Sequence, residues 1–147
     1  DMAYGALISG ITLANAGLGV VHGFAGPIGG FFDIPHGVVC GRLLPAATEK
    51  NLERLHEKND QEHEARLLKH VKVARLFDET QGMSYEKALQ FMVTTFYRWL
   101  EDFKVPQLSS YGFSEQDIER IVQSSGFKNN PVCLSDEDLR DILKQSL

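Results

Sequence analysis

The chain has 147 residues, enough for one domain, and its 43% apolar and 24% charged content excludes a disordered segment. A net charge of −5 excludes a nucleic-acid surface, because phosphate binding needs clustered Lys and Arg. Cys40 and Cys133 are too few and too far apart for a zinc knuckle or a disulfide framework, and unpaired thiols fit a reducing, cytoplasmic compartment.

The composition is uneven along the chain. Ten of the 13 glycines lie between Gly5 and Gly41, and Met2 to Phe32 carries no charge. That run meets the length rule for a membrane span. Ser9, Thr12, Asn15, His22 and the glycines interrupt it, however, and no basic residue precedes Arg42 to set an orientation. It also lacks the basic start of a secretory signal. No membrane role is expected. The run reads as helix buried on all sides within a larger body. The chain opens in helical stride without a cap, as expected for the back part of a longer protein.

In chain order, Asp1 to Ala16 predicts a helix carrying Leu7, Ile8, Ile11 and Leu13 among small residues, ending at Asn15 and Gly17. Leu18 to Gly29 predicts a second helix whose last turn Pro27 should disturb. Gly30 to Pro35 is then a loop. A third helix starts at His36 and runs through Leu43 and Leu44 towards Leu52 and Leu55, with a kink expected at Pro45. These elements form a first part, residues 1–58, of buried glycine-rich helices.

From Asn59 to residue 147 the pattern becomes amphipathic. Gln61 to Asp78 predicts one helix, with Leu67, Leu68, Val71 and Ala74 on its apolar stripe. Ser84 N-caps another that carries Ala88, Leu89, Met92, Phe96, Trp99, Leu100 and Phe103, with Pro106 as its stop. Two short helices open on Ser114 with Asp117 and on Ser135 with Asp138, the capping-box spacing. No stretch has the period-2 pattern of a strand, so the expected class is all-α.

The histidines divide into two groups. His56, His63 and His70 recur every seven residues among charges; on one helix that is roughly 10 Å of rise per step, too far to share an ion. They read as solvated face positions. His22 and His36 instead sit in VVHGFAGPIGGFFDIPHGVVCG, where Asp33 is the sole charged residue. Each could be a structural histidine bonded to a backbone carbonyl. Alternatively the two converge from adjacent helices as metal ligands, with Asp33 as a third donor, and the rest of the shell lies outside the chain.

The stretch GLGVVHGFAGPIGGFFDIPHGVVCGRLLP, Gly17 to Pro45, resembles the signature of the iron-containing (group III) alcohol dehydrogenases, and SGITLANAG, Ser9 to Gly17, resembles the helix before it. LSSYGFSEQDIERIV and NNPVCLSDEDLRDIL are similar to the tail of the same family. The resemblance implies a dehydroquinate synthase-like two-domain enzyme, with this chain as its all-helical C-terminal domain. The expected partner within the protein is an N-terminal α/β domain that binds NAD or NADP. The metal, Fe2+ first and Zn2+ second, would be held by an Asp and three His; His22 and His36 match two of these, and the other two would lie upstream. The implied reaction interconverts small alcohols and their aldehydes or ketones by hydride transfer, and a homodimer is a further expectation.

Many family members carry a second histidine one turn after the first ligand, and that position here is Gly26. A proton relay through this position is therefore not expected, and another group or water would have to serve. No Gly-rich phosphate loop follows a strand, so residues 1–147 are expected to be inactive alone. Two alternatives accompany this reading: a non-catalytic helical interaction module and a related glycerol- or maleylacetate-type reductase.

Overall fold

A computed structural model describes residues 1–58 and 60–147; Asn59, where the sequence changes character, lies outside the described residues. The described residues are all-α, without a strand. Seven α-helices follow one another: α1 (Met2–Ala16), α2 (Val20–Phe31), α3 (His36–His56), α4 (Gln61–Ala74), α5 (Tyr85–Asp102), α6 (Ile118–Ser124) and α7 (Asp136–Gln145). Short 3-10 turns occupy Asp78–Thr80, Leu108–Tyr111 and Glu115–Asp117.

The long helix α3 is the spine. Its Val39, Leu43, Ala46, Ala47 and Leu55 join Phe24 and Ile28 of α2, Ile121 of α6 and Ile142 of α7 in one core. Its Leu52 enters a second, smaller core with Val71 and Ala74 of α4 and Ala88, Leu89, Met92 and Val93 of α5. Alternating contributions from one helix to two cores follow from its turn-by-turn periodicity.

Several element ends differ from the sequence expectation. α2 continues through Pro27 to Phe31, two residues beyond Gly29, which shortens the connecting loop to Phe32–Pro35. α3 starts at His36 and runs across the buried Pro45 to His56, as the sequence pattern led one to expect. α4 ends at Ala74 rather than Asp78, because side chains take over the helix end: the Thr80 hydroxyl donates to the Ala74 carbonyl at 3.0 Å, and the Arg75 guanidinium donates to the Thr80 and Met83 carbonyls. α5 stops before Pro106 in a Schellman closure, with Val105 N–H donating to Leu100 O and Lys104 N–H to Glu101 O. Lys104 takes the left-handed conformation there, φ 51°.

Both capping boxes form, at Ser114 with Asp117 and at Ser135 with Asp138. The first leads into a 3-10 turn before α6.

The burial expected for α1 was within a larger body, and the described residues do not provide it. Every residue from Met2 to Ala16 is exposed, including Leu7 at 60% and Ile11 at 52%. Burial needs a packing partner, and beyond the corner at Ala16–Gly17 the described residues supply none. Among the described residues no single helix is long and apolar enough to cross a membrane; α1 and α2 meet the length and composition test together but are bent by 97°.

Candidate metal centre

The chain turns sharply between α1 and α2. Gly17 adopts φ 74°, and a Cβ there would collide with the Asn129 side chain, so both backbone and space require glycine. The asparagine pair 129–130 then clamps the corner. Asn129 Nδ2 donates to the Ala16 carbonyl at 2.6 Å, and Asn130 Oδ1 accepts from Val20 N–H, in the first turn of α2, at 3.2 Å.

His22 follows two residues later. Val20, Phe24, Ala25 and Ile28 turn into the core, which leaves His22 and Gly26 on the other side of α2. Pro35 holds the end of the four-residue loop extended, at φ −55° and ψ 131°, and α3 begins at His36. Val39 and Leu43 bury the inner face of α3, so His36 and Cys40, one turn apart, share the outer one.

The two helices thereby bring the imidazoles together. The ring centroids of His22 and His36 are 5.4 Å apart, with their planes tilted by 48°. His36 is exposed and Cys40 half-buried. Cys40 Sγ lies 3.3 Å from His36 Nε2, and one donor atom from each of His22, His36 and Cys40 falls within 4.8 Å of the others. Burial raises the Cys40 thiol pKa above its ordinary value. Among the described residues, no hydrogen bond ties either imidazole to a backbone carbonyl, the arrangement a purely structural histidine would show.

The structure brings together two of the three residues singled out as donors. Asp33 is exposed and outside the cluster. It sits in the loop before Ile34, whose burial turns the neighbouring side chain outward. Cys40 was legible in principle through the H-x-x-x-C spacing on a helix, yet the cysteines read only as a distant pair. Gly26 faces open space, with nothing within 4 Å of the position a Cβ would take. A groove of about 510 Å³ between α3 and α5 is lined by Glu49, Lys50, Glu53, Glu86 and Gln145 and by none of the cluster.

The other histidines have local roles. His63 Nδ1 meets Asp60, the α4 N-cap, at 2.6 Å, and His70 Nδ1 pairs with the Arg66 carbonyl at 3.0 Å. His56 is the last residue of α3, so the three do not share one helix.

The Fe-containing alcohol dehydrogenase family, C-terminal, matches over residues 1–147. The chain is 32% identical over 127 residues to the lactaldehyde reductase of Escherichia coli (strain K12), covering 85% of this chain and 30% of that protein. It is 30% identical over 152 residues to the 1,3-propanediol dehydrogenase of Citrobacter freundii, covering 99% and 36%. The solved structure of a 1,3-propanediol oxidoreductase superposes with a TM-score of 0.83 at 29% identity, over 99% of this chain and 37% of that one. An alcohol dehydrogenase from Oenococcus oeni gives 0.75, also at 29% identity, over 94% and 35%. The chain spans about a third of the length of these curated relatives. With family pattern, relatives and fold in agreement over the helices that carry His22 and His36, the chain belongs to the iron-containing alcohol dehydrogenase family, as its C-terminal all-helical part.

Proposed function

We propose that this chain is the metal-site part of an NAD(P)-linked dehydrogenase that interconverts small alcohols and their aldehydes. The reading is carried by the convergence of two imidazoles from separate helices, 5.4 Å between ring centroids. The donor chemistry fits a divalent ion: imidazole nitrogens suit Fe2+ and Zn2+, and the open face leaves coordination positions free. His22 and His36 would hold the ion through one neutral nitrogen each. When bound, it supplies Lewis acidity to an alcohol or carbonyl oxygen.

This chain's own residues do the positioning. The Asn129–Asn130 clamp sets the start of α2, and the extended Pro35 sets the start of α3, so the two imidazoles are held by helix backbones rather than by a loop. Gly26 keeps the face beside His22 free of side-chain bulk and offers no proton relay, so proton exchange with solvent falls to water or to groups elsewhere in the protein.

The residues do not fit a nicotinamide coenzyme. Its pyrophosphate needs a glycine loop between a strand and a helix, and the described residues contain no strand. The coenzyme site therefore belongs to an α/β domain of the same protein, which would also cover α1. The names of the relatives support a short, hydroxylated substrate such as a diol or a hydroxyaldehyde. The free thiols Cys40 and Cys133 support a reducing compartment such as the cytoplasm.

The test is made on the full-length protein. The expected result is bound Fe or Zn near one per chain by elemental analysis, alcohol-dependent reduction of NAD or NADP, and loss of both in His36→Ala. Turnover with undiminished kcat in His36→Ala, without bound metal, would remove the metal-site reading.

A further inference from the structure

The chain carries a net charge of −5, yet one cavity between α4 and the loop that leads into α7 is basic. It holds about 360 Å³, and Arg66, Lys69, His70, Lys128, Asn129 and Asn130 line it without a carboxylate among them. The larger groove between α3 and α5 is lined by Glu49, Glu53 and Glu86, so the positive sign is particular to this place. Arg66, Lys69 and His70 stand at i, i+3 and i+4 and share one face of α4, while Lys128 enters from the loop. Arg66 is fixed in position: one terminal nitrogen donates to the Pro131 carbonyl at 2.7 Å, and the other pairs with Glu62. Its remaining N–H groups are left for another acceptor. Lys69 and Lys128 are exposed and make no ion pair among the described residues. The Asn129 and Asn130 amides are committed to Ala16, Val20, Asn51 and Val132, so they shape the wall while the cations supply the charge.

We propose that this cavity binds a phosphate dianion through Arg66, Lys69 and Lys128. Three separate cationic groups suit a ligand with nearly two charges and three strong acceptor oxygens, where a carboxylate offers one charge and two oxygens. The volume is at the small end of the roughly 300–1,000 Å³ of ligand pockets, which fits a free phosphate or a small phosphomonoester. None of His22, His36 and Cys40 lines the cavity, so the inference goes beyond the metal-site reading and stands without it. A bound anion would join α4 to the loop whose Asn130 holds Val20 N–H, two residues before His22. Occupancy would therefore steady the clamped form of the corner by mass action and, with it, the helix that carries His22.

Calorimetric titration of the full-length protein with inorganic phosphate and with glycerol phosphate, at ionic strength held constant with chloride, tests this without reference to turnover. Saturable binding in the wild type is expected, weakened about tenfold in Lys69→Gln and in Lys128→Gln, the loss of one charge-assisted hydrogen bond. Lys144→Gln should bind as the wild type does, because Lys144 lies in the last turn of α7 and lines no part of the cavity. Amide exchange at Val20 and Asn129 should slow as the site fills, since their N–H groups donate to Asn130 and to the Leu18 carbonyl at the corner. Tighter binding of glycerol phosphate would identify a small phosphorylated metabolite as the source of the anion, and equal or weaker binding the free ion. No saturable binding in the wild type would overturn the proposal, as would unchanged affinity in both Lys69→Gln and Lys128→Gln. Equal weakening in Lys144→Gln would mark a diffuse charge effect, and displacement by NADP would return the cavity to the coenzyme; either would also overturn it. The wild-type titration and exchange decide the matter even if a variant fails to fold.

Discussion

Asp138 shows how one side chain can serve two parts of the molecule. It is 2% exposed, and its Oδ1 accepts from two nitrogens of Arg54, at 2.9 and 2.7 Å. Its Oδ2 accepts from both the backbone N–H and the hydroxyl of Ser135, each at 2.9 Å. Burial by itself opposes the charged form, but Arg54 and Ser135 outweigh it and hold the carboxyl below the usual carboxylate range. The folded pKa is therefore the lower one. The stability it contributes is present above the ordinary carboxylate pKa of about 3.9 and is lost as pH falls through the folded value. Asp138→Ala leaves the Ser135 hydroxyl free to cap the backbone N–H of residue 138 but removes the carboxylate that accepts from Ser135 and Arg54, and should destabilise the fold by about 1.5–3 kcal/mol. Urea unfolding at several pH values checks both parts: the variant should show a lower midpoint at neutral pH and a shallower loss of stability towards acid. The Ser135–Asp138 spacing was legible in the sequence. Arg54 was not, because it lies on α3, 84 positions away.

At the scale of elements, the helices were legible and their ends were less so. Apolar periodicity and serine caps marked where chains of backbone hydrogen bonds could start. The early stop of α4 depends on the Arg75 and Thr80 side chains reaching carbonyls, and nothing local distinguishes those from solvated side chains. The corner between α1 and α2 makes the same point over a longer range. Asn130 accepts from Val20 N–H and donates to Asn51 Oδ1 at 2.6 Å and to the Val132 carbonyl at 2.8 Å, joining α2, α3 and the final loop. Asn130→Ala leaves the buried Val20 N–H and the Asn51 amide without this partner, and should cost about 1–3 kcal/mol. Amide exchange at Val20 should quicken relative to mid-α3, and equal protection in both proteins would show that the clamp is dispensable.

For the whole molecule, α1 is the element that the described residues leave uncovered. It has no charged residue, its Thr12 and Asn15 side chains turn back to the carbonyls of Ile8 and Ile11, and its large side chains Met2, Tyr4, Leu7, Ile8 and Ile11 are all exposed. A contiguous apolar surface of that kind is the mark of an interface. Residues 1–147 by themselves should bind an apolar dye strongly, and removal of residues 2–16 should reduce that signal. The same polypeptide should give no alcohol-dependent reduction of NAD or NADP, because no described residue forms a coenzyme loop; measurable turnover would overturn the division of labour proposed above.

What the sequence alone determined was the class, the helices and the two histidines, since helical period, capping chemistry and a glycine-rich motif are properties of neighbouring residues. Only the tertiary structure decided that Cys40 joins the imidazoles and Asp33 does not. It likewise decided that α1 stands clear of the core, and that Asn130 and Arg54 tie distant helices together. The reason is physical: local sequence sets the backbone hydrogen bonds, whereas contacts across many residues depend on which helix faces meet when apolar surface is buried.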